Sequence, residues 1–131
     1  MSDKIYVVED HPIMREAYAA VLQAAPGLDL CGTAETAEEL IERLGEFDCD
    51  LVVADYRLPG LSGTDLVRQL RSACPDLPVI VVSAHEDETF AREALEAGAA
   101  AFLRKRDLTD TLVPTIHAVL AEHRRTARDG A

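Results

Sequence analysis

The chain has 131 residues, 48% of them hydrophobic and 28% charged, and a formal charge of −11. That is one domain's length with enough apolar residues for a core. No run of about 18 apolar residues is present, so no segment reads as a membrane span, and the acidic balance argues against nucleic acid bound by this segment, because phosphate backbones select a basic face.

Met1-Ser2-Asp3-Lys4 leads straight into a strand-like run, which reads as a cytoplasmic chain without a signal peptide. The run Ile5-Tyr6-Val7-Val8 is the first expected strand. A helix follows from Pro12 to about Ala25, with Ile13, Ala17, Ala20, Val21 and Ala24 on one face and Pro12 at a favourable first position. Met14, Tyr18 and Leu22 widen its apolar stripe and read either as plain core or as a docking or dimer patch. Leu28-Asp29-Leu30-Cys31 alternates, as an edge strand would. The second helix runs from about Thr36 to Leu44, and Thr36 with Glu39 forms a capping-box pattern. Leu51-Val52-Val53-Ala54 and Val79-Ile80-Val81-Val82 are continuous apolar runs that suit strands buried on both faces. Between them lies a helix from about Thr64 to Ala73. A fourth helix runs from about Asp87 to Ala97, with Gly98 as its stop. Ala100-Ala101-Phe102-Leu103 is the last strand, and a fifth helix runs from about Thr109 to Arg124. Pro114 lies well inside that helix, so the helix is expected to begin late, near Asp110–Thr111, or to bend in its first turn. Cys31, Cys49 and Cys74 form no C-x-x-C pair and read as reduced core thiols.

Five β-α units with short connections predict an α/β fold: a doubly wound, five-stranded parallel sheet with five helices. With only the second strand edge-like, the expected order is 2-1-3-4-5. Such sheets carry their sites beyond the C-terminal strand ends, where the order reverses.

Those ends hold Glu9 and Asp10, Asp55, Ser83 and Lys105. Strands 1 and 3 are neighbours in the proposed order, so three carboxylates converge. At about 5 Å and an effective dielectric near 20, each close pair costs roughly 3 kcal/mol. A cation or protonation must offset that repulsion. Oxygen-only ligands with room for water suit Mg²⁺, or Mn²⁺ in its place. A carboxylate flanked by a metal ion and the Lys105 ammonium stays ionised and can act as a nucleophile toward phosphorus. Ser83 can donate a hydrogen bond to a phosphoryl oxygen. Arg57 and His85, each two residues beyond Asp55 and Ser83, flank the expected pocket mouth. His11 has no evident ligand partner and reads as a polar residue at a helix start.

Each residue alone has a plainer reading. Glu9 and Asp10 could cap a helix, Asp55 could form a turn before Pro59-Gly60, and Lys105 and Ser83 could be ordinary surface and strand-end residues. Their coincidence on one edge of the sheet outweighs these. Three other classes fit less well. A flavin carrier needs a Ser/Thr/Gly-rich phosphate loop where Glu9-Asp10-His11-Pro12 stands. A dehalogenase-type phosphatase needs a second Asp where Arg57 stands. An interaction module would leave the pocket unused.

Val7-Val8-Glu9-Asp10-His11-Pro12, Asp55-Tyr56-Arg57-Leu58-Pro59-Gly60, Val82-Ser83-Ala84 and Phe102-Leu103-Arg104-Lys105 resemble the signature segments of response-regulator receiver domains of bacterial two-component systems, the CheY-like fold. With Met14-Arg15 the chain is most similar to the NarL/FixJ (LuxR-type) group. The resemblance implies that Asp55 accepts phosphate from a sensor histidine kinase. It implies Mg²⁺ held by Glu9, Asp10, Asp55 and the backbone carbonyl of Arg57. It also implies phosphoryl binding by Ser83, Lys105 and the Ala84 backbone, and a switch formed by Ser83 and Phe102. The receiver would cover residues 1–122. Residues 123–131, a polar tail, would begin a linker to an output domain that controls transcription, or else the receiver would stand alone and act by protein–protein contact. Homodimerisation on phosphorylation is the expected response. Arg106 follows Lys105 where many relatives have proline, so the peptide there is expected to be trans.

Overall fold

A computed structural model of the chain describes residues 2–46, 48–84 and 88–129, with side chains through residue 126 at the C-terminal end. Five strands, β1 (Asp3–Val8), β2 (Leu28–Ala34), β3 (Leu51–Asp55), β4 (Val79–Ser83) and β5 (Ala101–Arg104), alternate with α1 (Pro12–Gln23), α2 (Ala37–Arg43), α3 (Gly63–Ala73), α4 (Glu88–Ala97) and α5 (Leu108–Asp129). The strands pair in parallel in the order β2-β1-β3-β4-β5, as the alternation of elements requires.

Successive strand residues point to opposite faces, which divides the core in two. Ile5, Val7, Val53, Ile80 and Val82 face α1 and α5 and pack with Tyr18, Leu22, Leu112 and Ile116. Tyr6, Val8, Val52, Ala54, Val79 and Val81 face α2, α3 and α4 and pack with Leu40, Leu66, Val67, Leu70 and Ala94. Every residue of β3 and β4 is buried, which accounts for their unbroken apolar runs. β5 is also an edge, with Ala101, Phe102 and Leu103 half-buried and Arg104 exposed, although its short sequence does not alternate.

In the wide stripe of α1, Tyr18 and Leu22 are core and Met14 packs against it. The face expected to pack inward is instead turned to solvent: Ile13 is 79% exposed, Ala17, Ala20 and Ala24 are exposed as well, and only Val21 is half-buried. Cys31 is exposed, not core. The β1–β2 register skips it, pairing Ile5 with Leu30 and Tyr6 with Gly32, so the extra residue of the bulge turns outward. Cys49 and Cys74 are half-buried free thiols.

Thr36 Oγ1 accepts the Glu39 amide at 3.1 Å, as the capping pattern predicts, but Glu39 reaches back to the Glu35 amide, one residue beyond the cap. α3 starts at Gly63, ahead of the expected Thr64, because Ser62 and Asp65 form a reciprocal capping box. Gly98 ends α4 at φ 116, a conformation favourable only to glycine.

α5 does not begin late. It starts at Leu108, fed by a 3₁₀ turn over Lys105–Asp107, and Pro114 lies inside it. Tertiary burial of Leu108 and Leu112 outweighs the hydrogen bond that proline removes. The helix also continues through Asp129 rather than ending near Arg124. Residues 121–129 contain no Gly or Pro, and Arg125 pairs with Glu122 one turn back. Among the described residues there is no cis peptide, so Lys105–Arg106 is trans. No described helix is long and apolar enough to cross a membrane.

Candidate functional site

Glu9, Asp10, Asp55, Ser83 and Lys105 all lie at the C-terminal edge of the sheet. β1 and β3 run side by side with Val8 opposite Ala54, which sets Glu9 next to Asp55. The Glu9 amide continues the ladder to the Ala34 carbonyl at 2.9 Å, and the Glu9 carbonyl accepts from Arg15 Nη1 at 2.9 Å. Arg15 Nη2 also lies 3.5 Å from Glu35 Oε1. Asp55 is held from below by α3. A Cβ at Gly63 would fall 2.3 Å from the Asp55 carbonyl oxygen, so only glycine lets the helix start so close.

Lys105 Nζ donates to Glu9 Oε1 and Asp55 Oδ2, both at 2.9 Å. Glu9, Asp55 and Ser83 are buried, Asp10 is half-buried, and the Lys105 side chain is 17% exposed. Burial, with the Asp55 carboxyl beside it, pushes Glu9 up to about 7 against the pull of Lys105. Burial would lower Lys105, but its hydrogen bonds to Asp55 and Glu9 carry it above its ordinary value. Two carboxylates share one ammonium, so the pocket holds more negative charge than it neutralises.

Asp10 Oδ1 is a buried atom without a hydrogen-bond partner among the described residues. Ligand atoms of Glu9, Asp10, His11 and Asp55 all lie within 4.8 Å of one another. An orphaned carboxylate oxygen beside two further carboxylates fits a hard divalent cation. The reading of His11 changes: its Nδ1 lies 3.2 Å from Asp10 Oδ1 and 3.8 Å from Glu9 Oε2, although the ring is 66% exposed. His11 is the N-cap of α1, yet its side chain makes no cap hydrogen bond and lies beside the acids instead.

Ser83 is buried at the end of β4, one residue past Val82, the partner of Asp55 in the ladder. Ala84 follows it at the surface. Phe102 sits opposite Val81 on β5, half-buried, its ring edge-on to Tyr56 at 6.4 Å. The Arg57 amide donates to Asp55 Oδ1 at 3.4 Å and its side chain is exposed. His85 lies outside the described residues.

Three residues at this site carry no role in the sequence reading. Arg15 was legible only as part of a motif, because its contact is with a backbone carbonyl. Tyr56 was hidden between two polar neighbours. Tyr18, buried behind the site with its hydroxyl unpartnered among the described residues, is pushed well above the ordinary tyrosine range by burial and then by Glu9 and Asp55.

The sequence model of the response regulator receiver domain matches residues 5–117. The chain is 31% identical over 121 residues to the response regulator GacA of Pseudomonas aeruginosa, covering 92% of this chain and 56% of that protein. It is 36% identical over 120 residues to the transcriptional activator protein ExaE of Pseudomonas putida, covering 91% and 56%. The chain thus spans about half the length of these curated relatives. Among solved structures, a LuxR-family two-component response regulator from Aurantimonas aligns with a TM-score of 0.88 at 33% identity, over 93% of this chain and 87% of that one. The receiver domain of the putative response regulator NarL from Mycobacterium tuberculosis aligns at 0.79 and 28% identity, over 94% and 97%. With its strand order, its acid cluster and these likenesses agreeing, the chain belongs to the response regulator receiver domain family, a class of signalling domain rather than catalytic enzyme.

Proposed function

We propose that the chain accepts a phosphoryl group onto Asp55 from the phosphohistidine of a sensor histidine kinase and switches an output surface in response. The observation that carries this reading is the position of Lys105 Nζ, 2.9 Å from both Asp55 Oδ2 and Glu9 Oε1. A buried carboxylate in hydrogen-bond contact with an ammonium is a prepared nucleophile.

In the step proposed, an Asp55 carboxylate oxygen forms a bond to phosphorus in line with the breaking P–N bond, and the imidazole leaves. Lys105 and Ser83 hold phosphoryl oxygens, with the Ala84 amide as a further donor. Glu9, Asp10, Asp55 and the backbone carbonyl of Arg57 are the residues to hold Mg²⁺, or Mn²⁺, which when bound supplies Lewis acidity toward phosphoryl oxygens and neutralises the carboxylates. Arg57, exposed two residues beyond Asp55, sets the access of the water that later hydrolyses the aspartyl phosphate. Ser83 and Phe102 form the switch. The relatives named as transcriptional regulators support an output in transcription, through a part of the protein outside this chain, in the cytoplasm. Homodimerisation is the proposed response of this part.

Asp55→Asn preserves shape and removes the nucleophile. Incubated with acetyl phosphate and Mg²⁺, the wild type should gain an acid-labile phosphoryl group at one per chain and the variant none. Full labelling of Asp55→Asn would place the acceptor elsewhere.

A further inference from the structure

Tyr56 follows Asp55 directly, and its backbone is fixed on both sides. Its amide donates to the Val82 carbonyl at 2.7 Å, and its carbonyl accepts from the Gly63 amide at 3.0 Å. The side chain therefore leaves a rigid point one residue from the Asp55 carboxylate. Its ring stacks on Phe90 with centroids 4.6 Å apart and planes at 23°. Its hydroxyl donates to Glu93 Oε2 at 3.0 Å. Phe90 and Glu93 are three residues apart and share one face of α4. Phe102 on β5 meets the same Tyr56 ring edge-on, at 6.4 Å and 76°.

Against α3 and β5, α4 presents few fully buried side chains. Of its ten residues only Ala94 is buried. Elements with few buried contacts are those that shift at low cost. A stacked ring pair tolerates sliding by a fraction of an ångström, whereas a hydroxyl–carboxylate hydrogen bond is directional and weakens quickly when either end moves.

We infer that Tyr56 is a positioning residue that ties α4 to the site, and that its hydrogen bond to Glu93 holds α4 where it lies while Asp55 is unmodified. This rests on the reading of Asp55 as phosphoacceptor. It is a separate route from Ser83, because it starts at the chain neighbour of Asp55 and requires no movement of β4. Coupling of this kind is reciprocal: if modification at Asp55 loosens the Tyr56–Glu93 bond, removing that bond makes the modified state easier to reach.

The test uses beryllofluoride with Mg²⁺ as a phosphoryl mimic, titrated calorimetrically into wild type, Tyr56→Phe, Glu93→Ala and the double variant, with hydrogen exchange of the α4 amides measured in parallel. Tyr56→Phe keeps the ring stack, and Glu93 is at the surface, so both variants retain the fold. Each single variant should bind the mimic at least about fivefold more tightly. The double variant should gain no more than either single one, and α4 exchange should be raised before the mimic is added. Unchanged affinity in both variants would reduce the bond to a structural contact and overturn the inference. Weaker binding would place the bond in the modified state and overturn it as well. If the wild type itself binds no mimic, the phosphoacceptor reading fails and takes the inference with it.

Discussion

Lys105 donates to Asp55 across a sequence separation of 50 residues and to Glu9 across 96, at the same distance of 2.9 Å. One ammonium on the turn after β5 thereby holds together the ends of β1 and β3, which would otherwise repel. Replacing it should have a cost that depends on pH. Lys105→Met leaves two buried carboxylates without their cation and should destabilise the protein by about 3 kcal/mol or more at pH 8. At pH 5 Glu9 takes up a proton and the loss should be much smaller. Urea melts at the two values check this; an equal loss at both would show that the ammonium contributes packing rather than charge.

Glu9 makes its own pH signature. Its carboxyl is raised from 4.5 to about 7 by burial and by Asp55. Between these values the folded protein keeps a proton that the unfolded chain has released, so the metal-free protein loses stability as pH rises through that window and levels off above it. Glu9→Gln should remove this component. A divalent ion needs the ionised form, so stabilisation by millimolar Mg²⁺ should grow from small at pH 5 to full above about pH 7. Melting curves in EDTA and in Mg²⁺ across this range are the measurement, and a Mg²⁺ effect as large at pH 5 as at pH 8 would count against the site.

Arg15 acts on the same cluster through the backbone. Its hydrogen bond to the Glu9 carbonyl fixes the turn that carries both Glu9 and Asp10. Arg15→Ala leaves that part-buried carbonyl without its donor, a loss of about 1–3 kcal/mol. It should also weaken Mg²⁺ binding several-fold, since the two carboxylates lose their shared orientation. Arg15→Lys should recover only part, because an ammonium cannot reach Glu9 and Glu35 in the planar fork that a guanidinium offers. Calorimetric titration of Mg²⁺ distinguishes this from simple destabilisation, which would leave the affinity of the folded fraction unchanged.

Ser83 tests the proposed output. A hydrogen bond from its hydroxyl to a charged phosphoryl oxygen contributes about 1.5–3 kcal/mol, and burial of Phe102 at most a similar amount. Together they suffice to invert a population whose active state is a few per cent, which needs on the order of 4 kcal/mol. Ser83→Ala should therefore still accept phosphate but lose most of the change in association state that beryllofluoride induces. Analytical ultracentrifugation of both proteins, with and without the mimic, decides; a full shift in Ser83→Ala would exclude the Ser83–Phe102 pair as the switch.

Much of this molecule is legible from its amino acids alone. The unbroken apolar runs of β3 and β4 announce strands covered on both faces, and regular β-α alternation then forces a parallel sheet. Once the order is chosen, Glu9, Asp10, Asp55, Ser83 and Lys105 must gather at one edge, because each ends a strand or follows one. What periodicity cannot report is which partner a side chain meets. Whether Tyr18 and Leu22 are core and Ile13 is not depends on the rotation of α1 against β1 and β3. Cys31 is outside because of one extra residue in the β1–β2 register. α5 begins at Leu108 despite Pro114 because long-range burial there exceeds the local cost of proline. The Tyr56–Phe90 stack joins residues whose local sequences contain no trace of one another, and the Arg15–Glu9 bond, although within one segment, ends on a backbone carbonyl that no side-chain pattern reports. Local sequence dictates backbone conformation and which faces seek burial; the contacts that orient and couple the site arise only when separate elements pack, where distance in space no longer follows distance in the chain.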